Sequence, residues 1–370
     1  MEEIIEVVQE ENEYDQLQIV VDPGQQPIRI DHFLAEKIAR VSRNKIQNAL
    51  RAGLIKLNNK EVKSNYKLRP NDIIDVVIPR PPIETEIIPE DIPLDVIYED
   101  DTMMVINKSQ GMVVHPAAGV RTGTLVNALA WHFGFRDKSQ VPEGKERFGL
   151  VHRIDKETSG LLLVAKTDYA AAHLSKQFFN HTIEREYNAL IWGEPKEKIG
   201  TITANVGRDP KRRSCMSVFP DGLEGKHAVT HYELLESFYY TSLVKCKLET
   251  GRTHQIRVHM RYAGHTLFND EKYGGDQILK GTVFTKYKQF IQNCHKILPH
   301  FALHAKVIGF IHPETEKFMR FEQALPANFS SLLDKWRHYT ISRKEQTESE
   351  TEELTSDEAK EMQKLMNTKK

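Results

Sequence analysis

The sequence lacks any long hydrophobic run. No stretch of roughly 18 or more apolar residues occurs in its 370 residues, and a helix that spans a bilayer needs about 20. The first residues, Met-Glu-Glu-Ile-Ile-Glu, are acidic, whereas a secretory signal has a basic start and an apolar core. We therefore expect neither a membrane partner nor secretion.

Cysteine is also scarce, and the residues present are Cys215, Cys246 and Cys294. Their odd number, wide spacing and lack of a Cys-x-x-Cys pair argue against a disulfide framework or a zinc site. The glycine patterns of nucleotide sites and the Gly-x-Ser-x-Gly elbow of serine hydrolases are missing. We expect a cytoplasmic protein, monomeric by default, with no metal and no small-molecule cofactor.

A surplus of one charge sign is absent overall, since the net charge is -1, but the charges are unevenly distributed. Residues 1–23 hold eight acids and no Lys or Arg, and residues 345–370 hold eight acids and four lysines. Residues 24–80 hold twelve Lys or Arg against five acids. A basic module between acidic ends is typical of polyanion binding, although a solvated basic face would also explain it.

The basic module is predicted to be a compact α+β domain over residues 24–80. Ile30, Phe33, Leu34 and Ile38 recur at helical spacing, and Ser42 caps a second helix that Gly53 ends. A hairpin near the Asn58-Asn59 turn and a strand over 72–78 follow. Basic residues on the second helix, its flanks and the hairpin form one face for phosphate contacts: Arg40, Arg43, Lys45, Arg51, Lys56 and Lys60.

The segment 79–93 has five prolines in fifteen residues, which favours an extended linker. We therefore expect an acidic extension at 1–23, a linker at 81–93, a large domain at 94–340 and an acidic tail without packed structure at 341–370. Predicted strands outnumber helices in the large domain and often follow one another directly. This order favours a mixed, mainly antiparallel sheet with flanking helices, and the chain as a whole is expected to be α+β.

Two polar clusters adjoin apolar runs, at 152–160 and at 250–259. Such loops at sheet edges commonly form sites, although a charged turn is the alternative. His254 and His259 are five residues apart, which does not match a helical metal pair, and the arginines around them suit an anionic partner. Arg257 beside Asp155 would hold that carboxylate ionised, as a nucleophile or base requires.

The string His-Arg-Ile-Asp-Lys-Glu-Thr-Ser-Gly-Leu-Leu-Leu at 152–163 resembles the signature of the RluA-type pseudouridine synthases, with Ile154 in place of the usual Leu. The module at 24–80 is similar to the RNA-binding domain of ribosomal protein S-four, as in the RluD branch that acts on large-subunit ribosomal RNA. The stretch 276–300 looks less regular than the family pattern. Further similar strings occur in the family's order at 105–108, 111–116, 185–187, 228–232, 250–259 and 302–305.

The resemblance implies isomerisation of uridine to pseudouridine within RNA, with no cofactor. It implies Asp155 as the catalytic nucleophile, Tyr187 against the uracil, and Arg257 as the partner of the aspartate. Arg153 would fill the gap that a flipped-out uridine leaves. Near the site, RNA contacts are expected from His152, Arg252 and His254. For His152 a mainly structural role is the alternative.

Two other functions compete with this interpretation. A non-catalytic ribosomal RNA-binding assembly factor would keep the scaffold and use residues 24–80 for affinity. A glycoside or nucleoside hydrolase would also use a carboxylate, but it would require a second one as general acid. Intact Asp155, Tyr187 and Arg257 favour the synthase.

Overall fold

The computed structural model of the protein describes residue 345 and residues 5–343, with gaps at 12–13, 39–40, 80–85, 117–118, 143–147 and 283. The small domain comes first along the chain. The domain is a five-stranded antiparallel sheet with two helices, α1 (Ile30–Lys37) and α2 (Arg43–Ala52). The strand order is β1-β2-β5-β3-β4. The strands are β1 (Ile5–Glu11), β2 (Tyr14–Val20), β3 (Ile55–Leu57), β4 (Lys60–Glu61) and β5 (Ile73–Pro79).

Both predicted helices of the small domain are confirmed. The Ser42 hydroxyl accepts the backbone N–H of Lys45, so it caps α2 as the sequence predicted. Gly53 ends α2 in the left-handed conformation at φ 71°. Phe33 and Ile46 are buried between the helices and the sheet. Local capping signals therefore determine the limits of α2.

The acidic segment at the N-terminus is not separate from this domain, so the expected boundary at residue 23 is wrong. Strand β2 pairs along its whole length with β5, and Ile19 and Val21 are completely buried in the domain's core. Apolar residues alternate with acidic and polar ones here, which is the period of a strand with one buried face. The acids masked that pattern in the sequence.

The large domain is built on a nine-stranded sheet in the order β10-β13-β14-β9-β15-β8-β7-β6, with β16 also paired to β15. All its pairings are antiparallel except β15 with β8, so the predicted mixed, mainly antiparallel sheet is confirmed. Its strands are β6 (Val96–Glu99), β7 (Met103–Lys108), β8 (Ser159–Ala165), β9 (Glu184–Trp192), β10 (Ile199–Thr203), β13 (Val229–Ser237), β14 (Thr241–Leu248), β15 (Leu303–Ile311) and β16 (Phe318–Glu322).

Helices cover both faces of the central sheet. In β8, Leu162 and Val164 pack toward α3 (Leu125–His132) and α5 (Gln255–Tyr262), whereas Leu161 and Leu163 pack toward α4 (Asp168–Phe179). Because β8 is buried on both faces, its sequence is one continuous apolar run. This strand carries the loop of residues 151–158 at its N-terminal end.

Several elements of the large domain were not predicted. The helix α6 (Thr285–Ile297) occupies most of the stretch expected to be irregular, and it packs against α7 at 327–343. A separate two-stranded hairpin is formed by β11 (Asn205–Arg208) and β12 (Met216–Phe219), and the edge strand β10 was also missed. In the part of the chain that the structure describes, no helix is long and apolar enough to cross a membrane.

The proline-rich segment is only partly a linker. Residues 86–93 pack on the large domain, where Ile87 is 3% exposed and the Asn127 side-chain amide donates to the Ile88 carbonyl at 2.7 Å. The expectation of an unpacked segment is therefore wrong for residues 86–93, because Ile87 is buried in the core of the large domain and the Ile88 carbonyl accepts a hydrogen bond from it. Residues 80–85 and most of the expected acidic tail lie outside the described residues.

The small domain contacts the large one through α2 and α4. The Arg51 guanidinium lies 4.4 Å from the centre of the Tyr169 ring, and the Asn44 amide donates to Asp168 at 3.2 Å. Ala172 packs against the core of the small domain. These contacts join the basic module to the helix that lies beneath the loop of residues 151–158.

Candidate active site

Asp155 lies in a loop that enters β8. The Asp155 carbonyl accepts the backbone N–H of Thr158, which folds the loop into a turn directly before the strand. Ile154 is buried beneath the turn, so the Asp155 side chain, 23% exposed, faces the pocket above it. A buried strand thus fixes a carboxylate at a partly open position.

Arg257 holds this carboxylate as the sequence predicted. Its Nη1 donates to Asp155 Oδ2 at 2.9 Å, while Nε and Nη2 donate to the two carboxylate oxygens of Asp270 at 2.7 and 2.9 Å. Burial opposes the charged guanidinium, but the hydrogen bonds and charges of Asp270 and Asp155 outweigh it and raise the pKa of Arg257. Arg257 therefore stays cationic between two carboxylates.

Aromatic rings enclose the guanidinium of Arg257. Its central carbon lies 4.1 Å from the centre of the Phe301 ring and 4.9 Å from that of Tyr273. The rings exclude water and contribute cation–π attraction, which suits the flat guanidinium better than a lysine ammonium. Asp270 is completely buried, so the arginine acts as a fixed bridge from the domain core to Asp155.

Tyr187 lies on β9 and lines the same pocket as Asp155 and Arg257. It is 8% exposed, and burial raises the pKa of its phenol, opposed by Arg185 and supported by Asp155. The hydroxyl is therefore protonated at neutral pH. Its ring contributes to the apolar core beneath the pocket and offers an aromatic surface to a base.

Arg153 and His152 have different environments, although both line the pocket. Arg153 is exposed. The His152 ring stacks on Phe178 with centroids 4.4 Å apart, and its Nε2 accepts the backbone N–H of Leu163 at 2.9 Å. Burial, together with Arg185, lowers the pKa of His152 to about 3, so it is neutral and supports the loop. These contacts give His152 the structural one of its two expected roles.

His254 and Arg252 flank the other side of the pocket. His254 Nε2 lies 3.8 Å from Asp155 Oδ1, and Nδ1 lies 2.6 Å from the hydroxyl oxygen of Tyr273. Burial lowers the pKa of His254 to about 4, so it carries no charge at neutral pH. The Arg252 Nε donates to the His227 carbonyl at 3.0 Å, which keeps its guanidinium at the pocket rim.

The predicted basic face of the small domain is only partly available. Arg43 donates to the buried Asp31 at 3.0 Å, and Arg51 is turned toward Tyr169. Lys56 is exposed on β3 and Lys45 is half-buried on α2. Arg40 lies outside the described residues. Of the six basic residues predicted to form this face, Lys56 and Lys60 are exposed on the hairpin and available to phosphates.

Three contributors to the site were not predicted: Asp270, Tyr273 and Lys108. The Lys108 ammonium is buried and donates to three carbonyls, those of Ser109, Met112 and Lys156, at 2.8 to 2.9 Å. Burial lowers the pKa of Lys108 to about 7, opposed by Glu157 and Asp155. It thus ties β7 to the residue that follows Asp155. The quoted string at 105–108 contained this lysine, but nothing in the sequence showed its contacts.

Comparisons with known proteins match the part of the chain that contains Asp155, Tyr187 and Arg257. A family model described as RNA pseudouridylate synthase matches residues 102–262, and one described as S4 domain matches residues 28–74. An uncharacterised RNA pseudouridine synthase of Chlorobaculum parvum is 44% identical, covering 86% of this chain and 96% of that protein. Ribosomal large subunit pseudouridine synthase D of Zymomonas mobilis is 40% identical, covering 82% and 92%.

A solved structure shows a similar fold. Human RNA Pseudouridylate Synthase Domain Containing 4 is 24% identical, covers 65% of this chain and 92% of its own, and superposes with a TM-score of 0.50. At that identity the likeness concerns the fold alone. Within the described ranges, no group of three or more His, Cys, Asp or Glu side chains is placed to hold a metal ion.

Proposed function

The chain belongs to the RNA pseudouridylate synthase family, and on that premise we propose that it converts specific uridines of large-subunit ribosomal RNA to pseudouridine, with Asp155 as the catalytic carboxylate. As a member of this family the protein is an enzyme that isomerises uridine in RNA. Its small domain is an S4-type RNA-binding domain. The ribosomal substrate is supported by the 40% identity to ribosomal large subunit pseudouridine synthase D. A cytoplasmic location and a monomeric state remain predictions.

One observation carries the assignment of Asp155: its carboxylate is held by a buried arginine and faces an open pocket. The reaction breaks the bond from ribose C1′ to uracil N1 and makes a bond from C1′ to C5. C5 loses a proton and N1 gains one, so no outside reactant is consumed. A carboxylate that a buried arginine orients toward the pocket supplies the nucleophile or base that this exchange requires.

Tyr187 and Arg153 have complementary positions for a flipped-out uridine. The Tyr187 ring lies at the pocket floor, where it would contact the uracil, and a phenol that keeps its proton is available as a hydrogen-bond donor. Arg153 is exposed at the pocket rim, where it would take the place of the base in the RNA stack. Arg252 at the rim and Lys45, Lys56 and Lys60 of the small domain would contact phosphates.

The test uses an unmodified large-subunit ribosomal RNA transcript. The purified protein is incubated with the transcript, which is then treated with carbodiimide and alkali and mapped by reverse-transcription stops. We expect discrete stops with the unaltered protein and none with Asp155→Asn. RNA affinity of the variant should stay within about tenfold, because phosphate contacts elsewhere dominate binding. Asp101→Asn, in an exposed turn, is the matched control and should retain all stops.

The possible results separate the competing functions. Stops that persist with Asp155→Asn would refute the role of this carboxylate. If the unaltered protein gives no stops on the transcript or on ribosomal particles but binds both, the proposal fails and the assembly-factor function is favoured. Release of free uracil would instead identify a hydrolase.

A further inference from the structure

His254 is held in an unusual backbone conformation beside Asp155. It lies directly before α5 with φ 56° and ψ 19°, in the left-handed region that is strained for a residue with a side chain. This conformation turns the imidazole into the pocket, where its side chain is 13% exposed. The reaction as described above does not use it. The strain therefore points to a role of the side chain in the site.

The hydrogen bonds around His254 determine where its proton lies. The Tyr273 hydroxyl oxygen accepts the backbone N–H of Met216 at 2.9 Å and lies 2.6 Å from His254 Nδ1. A phenol has one proton, and the imidazole nitrogen is the acceptor within reach, so Tyr273 donates to Nδ1. A neutral imidazole then carries its proton on Nε2, which faces Asp155 Oδ1.

The two oxygens of Asp155 are consequently held differently. Oδ2 accepts a hydrogen bond from Arg257, whose guanidinium is fixed by Asp270. Oδ1 lies 3.8 Å from His254 Nε2, about 1 Å beyond a hydrogen bond. A small movement of Tyr273 and His254 would therefore convert this contact into a second hydrogen bond and fix the rotation of the carboxylate.

The chain of hydrogen bonds leads outward to a basic turn. Met216 begins β12, and the turn that runs from Arg208, the last residue of β11, to Met216 joins the two strands of the hairpin. Asp209, the acid of this turn, is occupied by the backbone N–H groups of Lys211 and Arg212 and by the Ser217 hydroxyl. The exposed cations of the turn are Arg208, Lys211, Arg212 and Arg213. We call residues 208–216 the basic turn.

The basic turn is attached to the site at a second point. The Lys272 ammonium donates to the Ser214 carbonyl at 3.0 Å, and Arg212 donates to the Lys272 carbonyl at 3.4 Å. Lys272 directly precedes Tyr273. A displacement of the basic turn by a bound polyanion would therefore move Tyr273 through both attachments.

We propose that Met216, Tyr273 and His254 form a positioning relay that couples RNA binding at the basic turn to the orientation of the Asp155 carboxylate. The proposal rests on the proposed function, because it concerns the same aspartate. Phosphates would pair with the four cations of the basic turn, which outnumber its single acid, Asp209, and the basic turn would move toward the site. His254 is a positioning residue here, since it acts through Asp155.

The test measures single-turnover rate and RNA affinity separately. At saturating RNA we expect Tyr273→Phe to lower the rate constant about tenfold while the Kd changes less than twofold, since both hydrogen bonds of the hydroxyl, to Met216 and to His254, are lost and the ring is kept. Tyr262→Phe, on exposed α5 surface, is the matched control and should match the unaltered protein. An unchanged rate for Tyr273→Phe would overturn the proposal.

A double-mutant cycle tests the coupling. The variant with Arg212→Ala and Arg213→Ala should weaken RNA binding and also lower the rate at saturation. In the Tyr273→Phe background the same two substitutions should weaken binding but leave the rate where Tyr273→Phe placed it. Additive effects on the rate would show that the basic turn and Tyr273 act independently, and the coupling would be refuted.

A second pair of variants covers the case in which Tyr273→Phe fails to fold. His254→Gln keeps an acceptor for Tyr273 and a donor for Asp155, whereas His254→Leu keeps neither. We expect Gln to retain most of the rate and Leu to lose about tenfold, both with unaltered affinity. Equal rates would refute the relay. An unaltered protein that forms no pseudouridine refutes the proposed function instead.

Discussion

The single guanidinium of Arg257 forms ion pairs with two carboxylates, those of Asp155 and Asp270. Buried ion pairs lose hydration, and they persist where several hydrogen bonds are made at once. Three donors of Arg257 are used, two on the buried Asp270 and one on Asp155. Asp270 anchors the arginine, so that Asp155 receives one directed hydrogen bond and keeps its other oxygen toward the pocket.

Replacing Asp270 with alanine tests this anchoring at the level of one residue. The change leaves the Arg257 guanidinium in an apolar enclosure with only Asp155 as its charged partner. We expect a loss of about 3 kcal/mol in the free energy of unfolding, together with a lower single-turnover rate. Urea titrations and rate measurements check both. Asp101→Ala should change stability by less than about 0.5 kcal/mol, and an equally small effect of Asp270→Ala would contradict the assignment.

The sequence predicted the site residues that lie within recognisable motifs. It missed the residues that lie outside those motifs and reach the site only through folding. Asp155 and Arg257 were both identified, and their contact is present. Asp270 and Tyr273 follow Arg257 by 13 and 16 residues, but nothing in the string around them distinguishes an anchor from an ordinary turn. Only the return of the chain beneath α5 brings them to Arg257.

At the level of elements, local signals explain which helices and strands could be predicted. α2 has its own cap and its own ending glycine, so its limits follow from neighbouring residues. β10 is half-exposed at the sheet edge, and its Ile199 is 73% exposed, so it lacks a clear apolar pattern. α6 buries only Tyr287, Ile291 and Cys294 among polar residues. The helical structure of α6 therefore depends on its tertiary packing against α7 and not on a clear apolar pattern in its sequence.

The junction between the loop of residues 151–158 and β15 depends on a glycine. Gly160 has φ 110°, and a Cβ atom there would lie 2.2 Å from the Ala305 carbonyl oxygen. This close approach permits the parallel pairing of β8 with β15. An added methyl group would separate the two strands and displace the turn that carries Asp155.

We therefore expect Gly160→Ala to be far more costly than an alanine at another left-handed glycine. Gly134 has φ 93° but nothing within 4 Å of a Cβ, so Gly134→Ala should lose about 1 to 2 kcal/mol from backbone strain alone. Gly160→Ala carries that strain plus a steric conflict of about 1 to 3 kcal/mol. Urea unfolding of the two variants measures the difference. Equal losses would show that β8 and β15 can separate freely.

At the level of the whole molecule, α4 connects the basic module to the site. Tyr169, in its first turn, contacts Arg51 of the small domain. Phe178, in its last turn, stacks on His152 beside Asp155. One helix therefore holds both units, so that RNA bound by the small domain is presented at a defined position relative to the pocket. The basic residues that the sequence concentrates at 24–80 are thereby held in a fixed position relative to the pocket.

Buried neutral histidines predict how the stability of the whole protein depends on pH. Burial lowers the pKa of His152 to about 3 and those of His254 and His304 to about 4, below the ordinary value of about 6.5. Between pH 6.5 and 4 the unfolded chain binds protons that the folded chain does not. Stability is therefore constant above about pH 6.5 with respect to these groups and decreases as the pH falls below it.

From pH 6 to pH 5 we expect these three histidines alone to decrease the free energy of unfolding by about 3 kcal/mol, since each contributes about 1 kcal/mol over that interval. Asp100, whose hydrogen bonds outweigh its burial and lower its pKa to about 2, titrates outside this interval and adds nothing. Urea titrations at both pH values measure the decrease. In His304→Gln the decrease should be smaller by about 1 kcal/mol. An identical decrease in the variant would show that His304 titrates normally, and a stability that does not change with pH would contradict neutral burial of all three histidines.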